Sequence, residues 1–390
     1  MKRLQVQGFG PIQQGDVEFG DLTVLVGPQA TGKSLFVQLF KAIVDAGAIE
    51  RDLMQYGFDW YSDETPVHDY CSLYFGSGLG YVIQSRTVIL RDGNSVRVSD
   101  IVNPNPSVHT GDTVFLIPAQ RVLVLQDGWP KPFMAYAGGD PYAIRKFSES
   151  LRLLMERERG SERAIFPRPK HLWAELGSVV DASIYVGSTL ELEREGMRKR
   201  VVLKPSGMKS ALPYTAWSAG QREFTPLLFG LYSVIPPTWP GRERVADIET
   251  VIIEEPEMGL HPQAIVSFGL LVLELLGRGY RVILSTHSPV ILDLVWALRE
   301  LSSVKPKVGV EALCRVFNID SPTKPLKATL TSALQKQYRT YYFHRTDSGV
   351  ITEDISTLDP GSEDPSVAGW GGLSGFSGRI AQIVGEAVSR

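Results

Sequence analysis

Cysteine is scarce. Cys71 and Cys314 are the two in 390 residues, too few and too far apart for a disulfide framework or a zinc cluster. A reducing compartment fits that usage. Charge of one sign is also missing. The net charge of −3 excludes a generally basic nucleic-acid coat, so any polyanion site must be a local patch. Long apolar runs are absent as well. The longest, Ala264 to Leu276, is interrupted by Glu274 and falls short of the ~20 residues that span a bilayer. The start, MKRLQVQGFGPIQQGD, breaks into glycine and polar residues too early for a signal peptide. These features predict a soluble, cytoplasmic protein with no membrane partner. No internal repeat and no sustained heptad pattern occurs. With 43% hydrophobic and 21% charged residues, the chain has globular composition rather than that of a disordered one.

What is present reads as α/β. Residues 3–8 and 22–26 have strand character, and Asp21 to Val26 is an apolar run that stops at a glycine. Ser34 to Ala46 then carries Leu35, Phe36, Leu39, Phe40 and Ile43 at helical spacing. Residues 70–100 suggest an antiparallel meander, with Gly-Ser-Gly and Asp-Gly-Asn turns between short apolar runs. Thr113 to Ile117 is a further strand. Residues 142–182 have a mostly helical pattern with Arg/Glu-rich faces, and 184–204 return to alternation. Val251–Ile253, helix 262–277 and Arg281–Leu284 form a β-α-β unit.

Four stretches carry chemistry. Gly27-Pro28-Gln29-Ala30-Thr31-Gly32-Lys33-Ser34 fits G-x-x-x-x-G-K-[ST] in full. Its glycines let the backbone turn N–H groups toward a phosphate chain, and the following helix N-terminus adds partial positive charge. Lys33 would meet the β- and γ-phosphates, and Ser34 would ligate Mg²⁺. Val251-Ile-Ile-Glu-Glu-Pro-Glu257 is an apolar strand that delivers carboxylates at its C-terminal end. There Glu254 would hold Mg²⁺, and Glu255 would act as general base on the attacking water. A solvated acidic strand end is the plainer reading. Trp217-Ser218-Ala-Gly220-Gln221-Arg-Glu223 is a small-residue turn opening a helix, which an ordinary cap on Ser218 also explains. His287, in Leu284-Ser-Thr-His-Ser-Pro289, would bond a γ-phosphate; a structural histidine is its plainer reading.

The order of these motifs resembles the ATP-binding-cassette (ABC) ATPase heads of the RecF, SMC and OLD group, over residues 1–295. The resemblance implies an ABC-ATPase P-loop fold with an antiparallel β subdomain and a helical insertion at about 142–182. It implies an ATPase domain over 1–299 and a small C-terminal α+β region over 300–390. It makes Ser218, Gly220 and Gln221 the signature motif that completes a partner subunit's ATP site, and His287 the switch histidine. Glu254 stands where that family most often has aspartate. Gln120, at the end of Phe115 to Arg121, is the candidate for the family's metal-side glutamine, and Arg121 for a phosphate or DNA contact; a polar strand end accounts equally for both.

Within that resemblance, the stretch from Ser34 to Ser218 is longer than transporter subunits usually allow. The missing coiled coil excludes a true SMC or Rad50 protein. After Pro289 there is no D-x-D pair for the nuclease domain of OLD proteins. Arg339 to His344 matches the R-x4-H pattern of HEPN ribonucleases, but its aromatic, β-branched content reads as a hairpin. The expectation is therefore an ATPase, with ATP and Mg²⁺ as cofactors, that assembles as a homo-oligomer through ATP-sandwiched heads. It would control a separate effector, a nuclease or toxin, in bacterial antiphage defence. The alternative is a RecF-like DNA-binding ATPase in repair, with DNA as partner. The clusters Arg152–Arg163 and Arg194–Lys204 are mixed with glutamate. Arg152, Arg157 and Arg159 on the insertion are the candidates for docking a partner, and the tail, with Tyr341, Tyr342, Phe343, Trp370 and Phe376, for a cap on the sheet.

Overall fold

A computed structural model describes residues 1–58, 66–105, 111–157, 164–167, 174–196, 198–235, 244–245, 247–373, 380 and 383–384. Arg159 and Phe376 lie outside the described residues, as does the side chain of Arg157.

The strands follow the chain as β1 (Arg3–Phe9), β2 (Ile12–Glu18), β3 (Leu22–Val26), β4 (Val88–Arg91), β5 (Asn94–Ser95), β6 (Val114–Ile117), β7 (Leu125–Gln126), β8 (Trp129–Pro130), β9 (Ala164–Phe166), β10 (Thr189–Glu195), β11 (Arg198–Lys204), β12 (Thr250–Glu254), β13 (Arg281–Ser285), β14 (Tyr338–Thr346) and β15 (Gly349–Asp354). Ten of them form one mixed sheet in the order β5-β4-β1-β2-β15-β14-β3-β13-β12-β6. From β14 to β6 every neighbouring pair is parallel. β3 (LTVLV) and β12 (TVIIE) are buried at every residue, as strands covered on both faces must be.

Side-chain alternation sorts these strands into two cores. Leu25, Ile252 and Ile283 pack with Phe36 and Phe40 of the helix Lys33–Val44. Val24, Val26, Val251, Ile253, Val282 and Leu284 face the other way, onto the helices Ala219–Val234, Pro262–Gly277 and Pro289–Ser302. The apolar run around Glu274 is the second of these helices. There Glu274, 1% exposed, is held by Arg278 at 2.9 Å and by the Thr329 hydroxyl at 2.9 Å.

A buried ionic cluster ties the Lys33–Val44 helix to β6. Lys41 donates to Asp45 at 2.7 Å, to Asp112 at 3.0 Å and to the Val114 carbonyl at 2.7 Å. Asp45 also accepts from the amides of Thr113 and Val114, both at 3.0 Å, and from the Thr113 hydroxyl at 2.7 Å. Every carboxylate oxygen of Asp45 is therefore used, the condition under which a buried charge is tolerated.

Two expectations change. Residues 70–100 are not a meander. Val67–Tyr74 is a helix and Val98–Val102 a short one, leaving the β4–β5 hairpin between them. The stretch 142–182 is mostly helical where it is described, as expected, with one short strand, β9, inside it. Its helix Tyr142–Arg157 sends Ile144, Phe147 and Leu151 into the core, and β9 joins β10 and β11 in a separate three-stranded sheet. The main sheet also runs across the boundary expected at 299. The hairpin anticipated after Tyr338 is present as β14 and β15, and it sits inside the sheet, between β3 and β2.

Candidate active site

β3 ends at Gly27, whose φ of 143° is open to glycine and hardly to other residues. A Cβ there would stand 2.6 Å from the Phe343 carbonyl of β14, so the parallel neighbour alone excludes a larger residue. The loop turns through Ala30 (φ 59°) and Gly32 (φ 87°) and enters the helix at Lys33. The Lys33 ammonium donates to the carbonyls of Gly27 at 2.8 Å and Pro28 at 2.9 Å, and the Thr31 hydroxyl donates to Pro28 at 2.8 Å. Burial pulls the Lys33 pKa down to about 8, against the opposing pull of Glu255, Glu257 and Glu254. On the outer side of the loop, Arg345 of β14 donates to the Ala30 carbonyl at 3.2 Å. Arg345 carried no local sequence signal, because strand pairing alone brings it there.

Glu254 closes β12 and is fully buried, yet neither carboxylate oxygen meets a hydrogen-bond donor at bonding geometry. Burial pushes its pKa up to about 7. The Ser34 hydroxyl, the Ala119 amide and the Gln38 side chain lie near enough to hold it down, and Glu255 adds to the rise. Gln38 is buried with its own Oε1 unpartnered. Two orphaned carboxylate oxygens, an orphaned amide oxygen and a hydroxyl thus converge, and hard oxygen donors of this kind suit Mg²⁺. Among the described residues no group of three His, Cys, Asp or Glu side chains forms a metal cage. A metal here would rest on one carboxylate and neutral oxygens, completed by phosphate and water as Mg²⁺ commonly is. The described contacts bring Gln38 to Glu254, while Gln120 stands exposed at the end of β6. Gln38 was missed in the sequence, although it lies one helical turn beyond Ser34, on the same side.

Glu255 follows with φ 43°, a strained value for a residue with a Cβ. Its amide donates to the Ser285 carbonyl at 2.8 Å, and its carboxylate lies 3.6 Å from His287 Nε2. His287, 3.6 Å away, with Lys33 and Arg121 behind it, holds the Glu255 carboxyl below its usual range despite burial. The His287 amide in turn donates to Glu257 at 2.5 Å. Glu255 is thus kept ionised and aimed by the turn that follows β13.

Arg121 is not a surface contact for phosphate or DNA. It is wholly buried and donates to the carbonyls of Glu254 at 2.9 Å, Glu255 at 3.0 Å and Glu223 at 3.2 Å. It fastens the acidic strand end to the helix that begins after Ser218.

Ser218 caps that helix in a reciprocal box. Its hydroxyl accepts from the Gln221 amide at 3.3 Å, and its own amide donates to Gln221 Oε1 at 3.1 Å. Gln221 Nε2 reaches the Ile184 carbonyl at 3.3 Å. A Cβ at Gly220 would stand 3.0 Å from the Gly259 carbonyl, so this turn lies flat on the one that follows β12. Ser218 is exposed. Among the described contacts none joins Ser218, Gly220 or Gln221 to the phosphate loop.

The remaining sequence candidates fall elsewhere. Arg339 and His344 lie on a strand, paired with Glu18 and Asp354 and with Glu353 respectively, so no HEPN helix forms. Arg152 is engaged by Glu149 and Glu156, both at 2.5 Å, and Glu149 also accepts from the Phe133 amide. It is therefore a built-in contact rather than a free docking charge.

No curated protein matches the sequence. A family model for an AAA domain, whose description names an AbiEii toxin and a type IV TA system, matches residues 102–293. That span holds the Ser218 turn, the acidic strand and His287, and the phosphate loop precedes it. Solved structures similar to this chain include three SMC heads, each 12% identical to it and each matched over 90% of it. One is an SmcHead bound to the C-winged helix domain of ScpA (TM-score 0.43, 96% of that chain). Another is the SMC head domain from Thermotoga maritima (0.37, 98%). The third is a Pyrococcus furiosus Smc head with an extended coiled coil, bound to the C-terminal domain of ScpA (0.41, 95%). A complete phosphate loop on a mixed α/β sheet, the ordered motifs after it and the AAA domain model matched over residues 102–293 make this chain similar to P-loop ATPase heads.

Proposed function

We propose that the protein binds and hydrolyses ATP with Mg²⁺, assembles head to head around the nucleotide, and so controls a separate effector, a nuclease or toxin, in bacterial antiphage defence. The observation that carries the catalytic part is the convergence of Lys33, orphaned Glu254 and the Glu255–His287 pair at one end of the sheet. Lys33 would exchange its loop carbonyls for phosphate oxygens. Ser34, Glu254 and Gln38 would hold Mg²⁺, which supplies charge neutralisation at the phosphates when bound. Glu255 would accept the proton of the attacking water on its carboxylate, and His287 would keep that carboxylate ionised and oriented. The exposed Ser218 turn supports assembly, because it offers an N–H-lined helix start and makes no described contact with its own phosphate loop.

The toxin–antitoxin system named in the matched family's description supports control of a toxic outcome. Among the described residues no helix is long and apolar enough to cross a membrane, which fits a cytoplasmic setting. The second reading, a RecF-like ATPase acting on DNA, is favoured by the basic residues of β11.

Three variants test the proposal. Lys33→Ala should weaken ATP binding itself. Glu255→Gln should bind ATP, lose about 10²–10⁴ in turnover and sediment as an ATP-dependent assembly. Ser218→Arg should bind ATP and fail to assemble. An active protein that stays monomeric with ATP would refute head-to-head assembly, and equal loss of ATP binding in the first two variants would refute the division of roles.

A further inference from the structure

The cationic cluster on β11 is not absorbed by the ATP site. It forms one wall of a separate cleft of about 700 Å³, between the β7–β8 hairpin and the residues that lead to Ser218. Arg198, Lys199 and Arg200 line it from β11, Trp129 and Lys131 from β8 and just beyond, and Tyr214 from the far side. The cleft is built rather than incidental. Gly128, at the hairpin tip, has φ 79°, and its carbonyl accepts from the Val201 amide at 2.9 Å. A Cβ on Gly128 would stand 2.5 Å from the Val201 carbonyl, so the hairpin is docked directly on β11.

The charges are unevenly matched. Arg200 is paired with Glu193 at 2.8 Å, and Glu156, also on the wall, is taken by Arg152 at 2.5 Å. Among the described residues, Lys131, Arg198 and Lys199 have no carboxylate partner, and Asp127 is the one acid lining the cleft that is left to oppose them. Two of these cations already lie near aromatic faces. Lys199 is 5.9 Å from the Trp129 ring centre, and Lys131 is 4.2 Å from that of Tyr136. Half-buried Trp129 offers flat apolar surface beside three cations, and buried Tyr214 backs the cleft behind it. That combination fits a ligand with a planar ring at one end and a phosphate at the other, and the volume lies within the range of small-molecule sites.

We propose that this cleft binds a nucleoside phosphate, either free or as one unit of a single strand, as a second site distinct from the phosphate loop. The base stacks on Trp129, and the phosphate is held by Lys131, Arg198 and Lys199. Tyr214 begins the short turn Tyr214–Ala216 that ends at Trp217, next to Ser218, and its hydroxyl reaches the carbonyls of Val122 and Arg222 at 3.4 Å. Occupancy of the cleft is thereby felt at the signature turn. The site itself stands whether or not the protein hydrolyses ATP.

The test uses the full chain and two probes. Uridine monophosphate carries no β- or γ-phosphate for the phosphate loop, and its binding is read by calorimetry. A labelled oligothymidylate is read by fluorescence anisotropy across a salt series. Binding of uridine monophosphate assigns a free nucleotide, and binding of the oligothymidylate alone assigns a strand. In either case Trp129→Ala should bind about ten-fold more weakly. The double reversal Arg198→Glu, Lys199→Glu should do the same, and should flatten the salt dependence of strand binding by about 1.4 logarithmic units per decade, ~0.7 for each phosphate contact. Basal ATP turnover in the double variant should stay within about two-fold of wild type, as surface substitutions usually allow. The double variant lies on the surface, so it reports even if Trp129→Ala fails to fold. Failure of both probes to bind below ~1 mM, or unchanged binding in the double variant, overturns the assignment.

Discussion

Replacing Arg121 by methionine tests the buried link between the acidic strand and the helix that begins after Ser218. The change keeps most of the side chain's length and removes its donors. Three bonds of 2.9–3.2 Å are lost, to the carbonyls of Glu254, Glu255 and Glu223. Bonds from a charged donor contribute ~1.5–3 kcal/mol each, but losing the buried guanidinium also removes its desolvation cost. Burial does press on it, since the Arg121 pKa is lowered by burial in spite of four nearby glutamates. The expected net loss is about 3–5 kcal/mol, the usual result of breaking a buried charged contact from one side. In a melt this is a fall in Tm of about 5–10 °C. Glu223 adds a pH signature. Its carboxyl is already raised by burial, and Arg121 is the leading cation holding it down, 3.9 Å away. Without Arg121 the carboxyl rises further. It is then protonated and harmless at low pH and carries a half-buried charge opposed only by Arg222 at high pH, so the deficit should be larger at pH 8 than at pH 5. ATP turnover should fall at least ~10²-fold, because the Glu255 peptide loses its anchor. Arg121→Lys, with one compact ammonium for three carbonyls, should fall between the two. A variant that melts like wild type, turns over normally and loses only nucleic-acid binding would refute the structural role and restore Arg121 as an outward contact.

Asp45→Ala strips Lys41 and two amides of their shared acceptor and should cost about 3–5 kcal/mol in thermal or urea unfolding; a loss under ~1 kcal/mol would show that the cluster is not holding the phosphate-loop helix to β6. The lowered Lys33 pKa of about 8 gives a second pH effect. A depressed base loses its charge as pH rises through that value, so metal-free ATP affinity should drop roughly ten-fold between pH 7 and pH 9, measured by calorimetry. A flat profile over that interval would mean that the Lys33 charge does not reach the phosphates.

Elements whose evidence is contiguous were legible in the sequence. The phosphate loop occupies eight successive residues, and the β-branched runs around it could only be buried strands. The β12–helix–β13 unit and the β14–β15 hairpin were readable for the same reason. Residues 70–75 show the opposite case. Tyr70, Cys71 and Tyr74 are aromatic or small and look strand-like, yet their spacing puts all three on one buried helical face. Tertiary packing decided the outcome there. The place of β14 had no local trace at all, because it pairs with β3 across a gap of more than three hundred residues. Gln38 was hidden differently. A polar residue within an amphipathic helix reads as surface until the helix is seen to bury it beside Glu254.

The insertion of β14 next to β3 also bears on how the protein is made. Leu22 pairs with Tyr338 and Val26 with Tyr342, and Gln337 is tied to Asp21 over 316 residues. A ribosome therefore releases the phosphate-loop strand long before its neighbour exists, and closing so large a loop is slow and entropically unfavourable. Until the segment through Thr346 has emerged, Gly27 lacks the backbone it packs against and Ala30 lacks Arg345. A nascent chain cut short before that point should present β3 as an open edge, prone to wrong pairing. Nucleotide binding by this protein is thus a property acquired late in synthesis, and a stalled or truncated product would carry the phosphate loop without the strand that completes it.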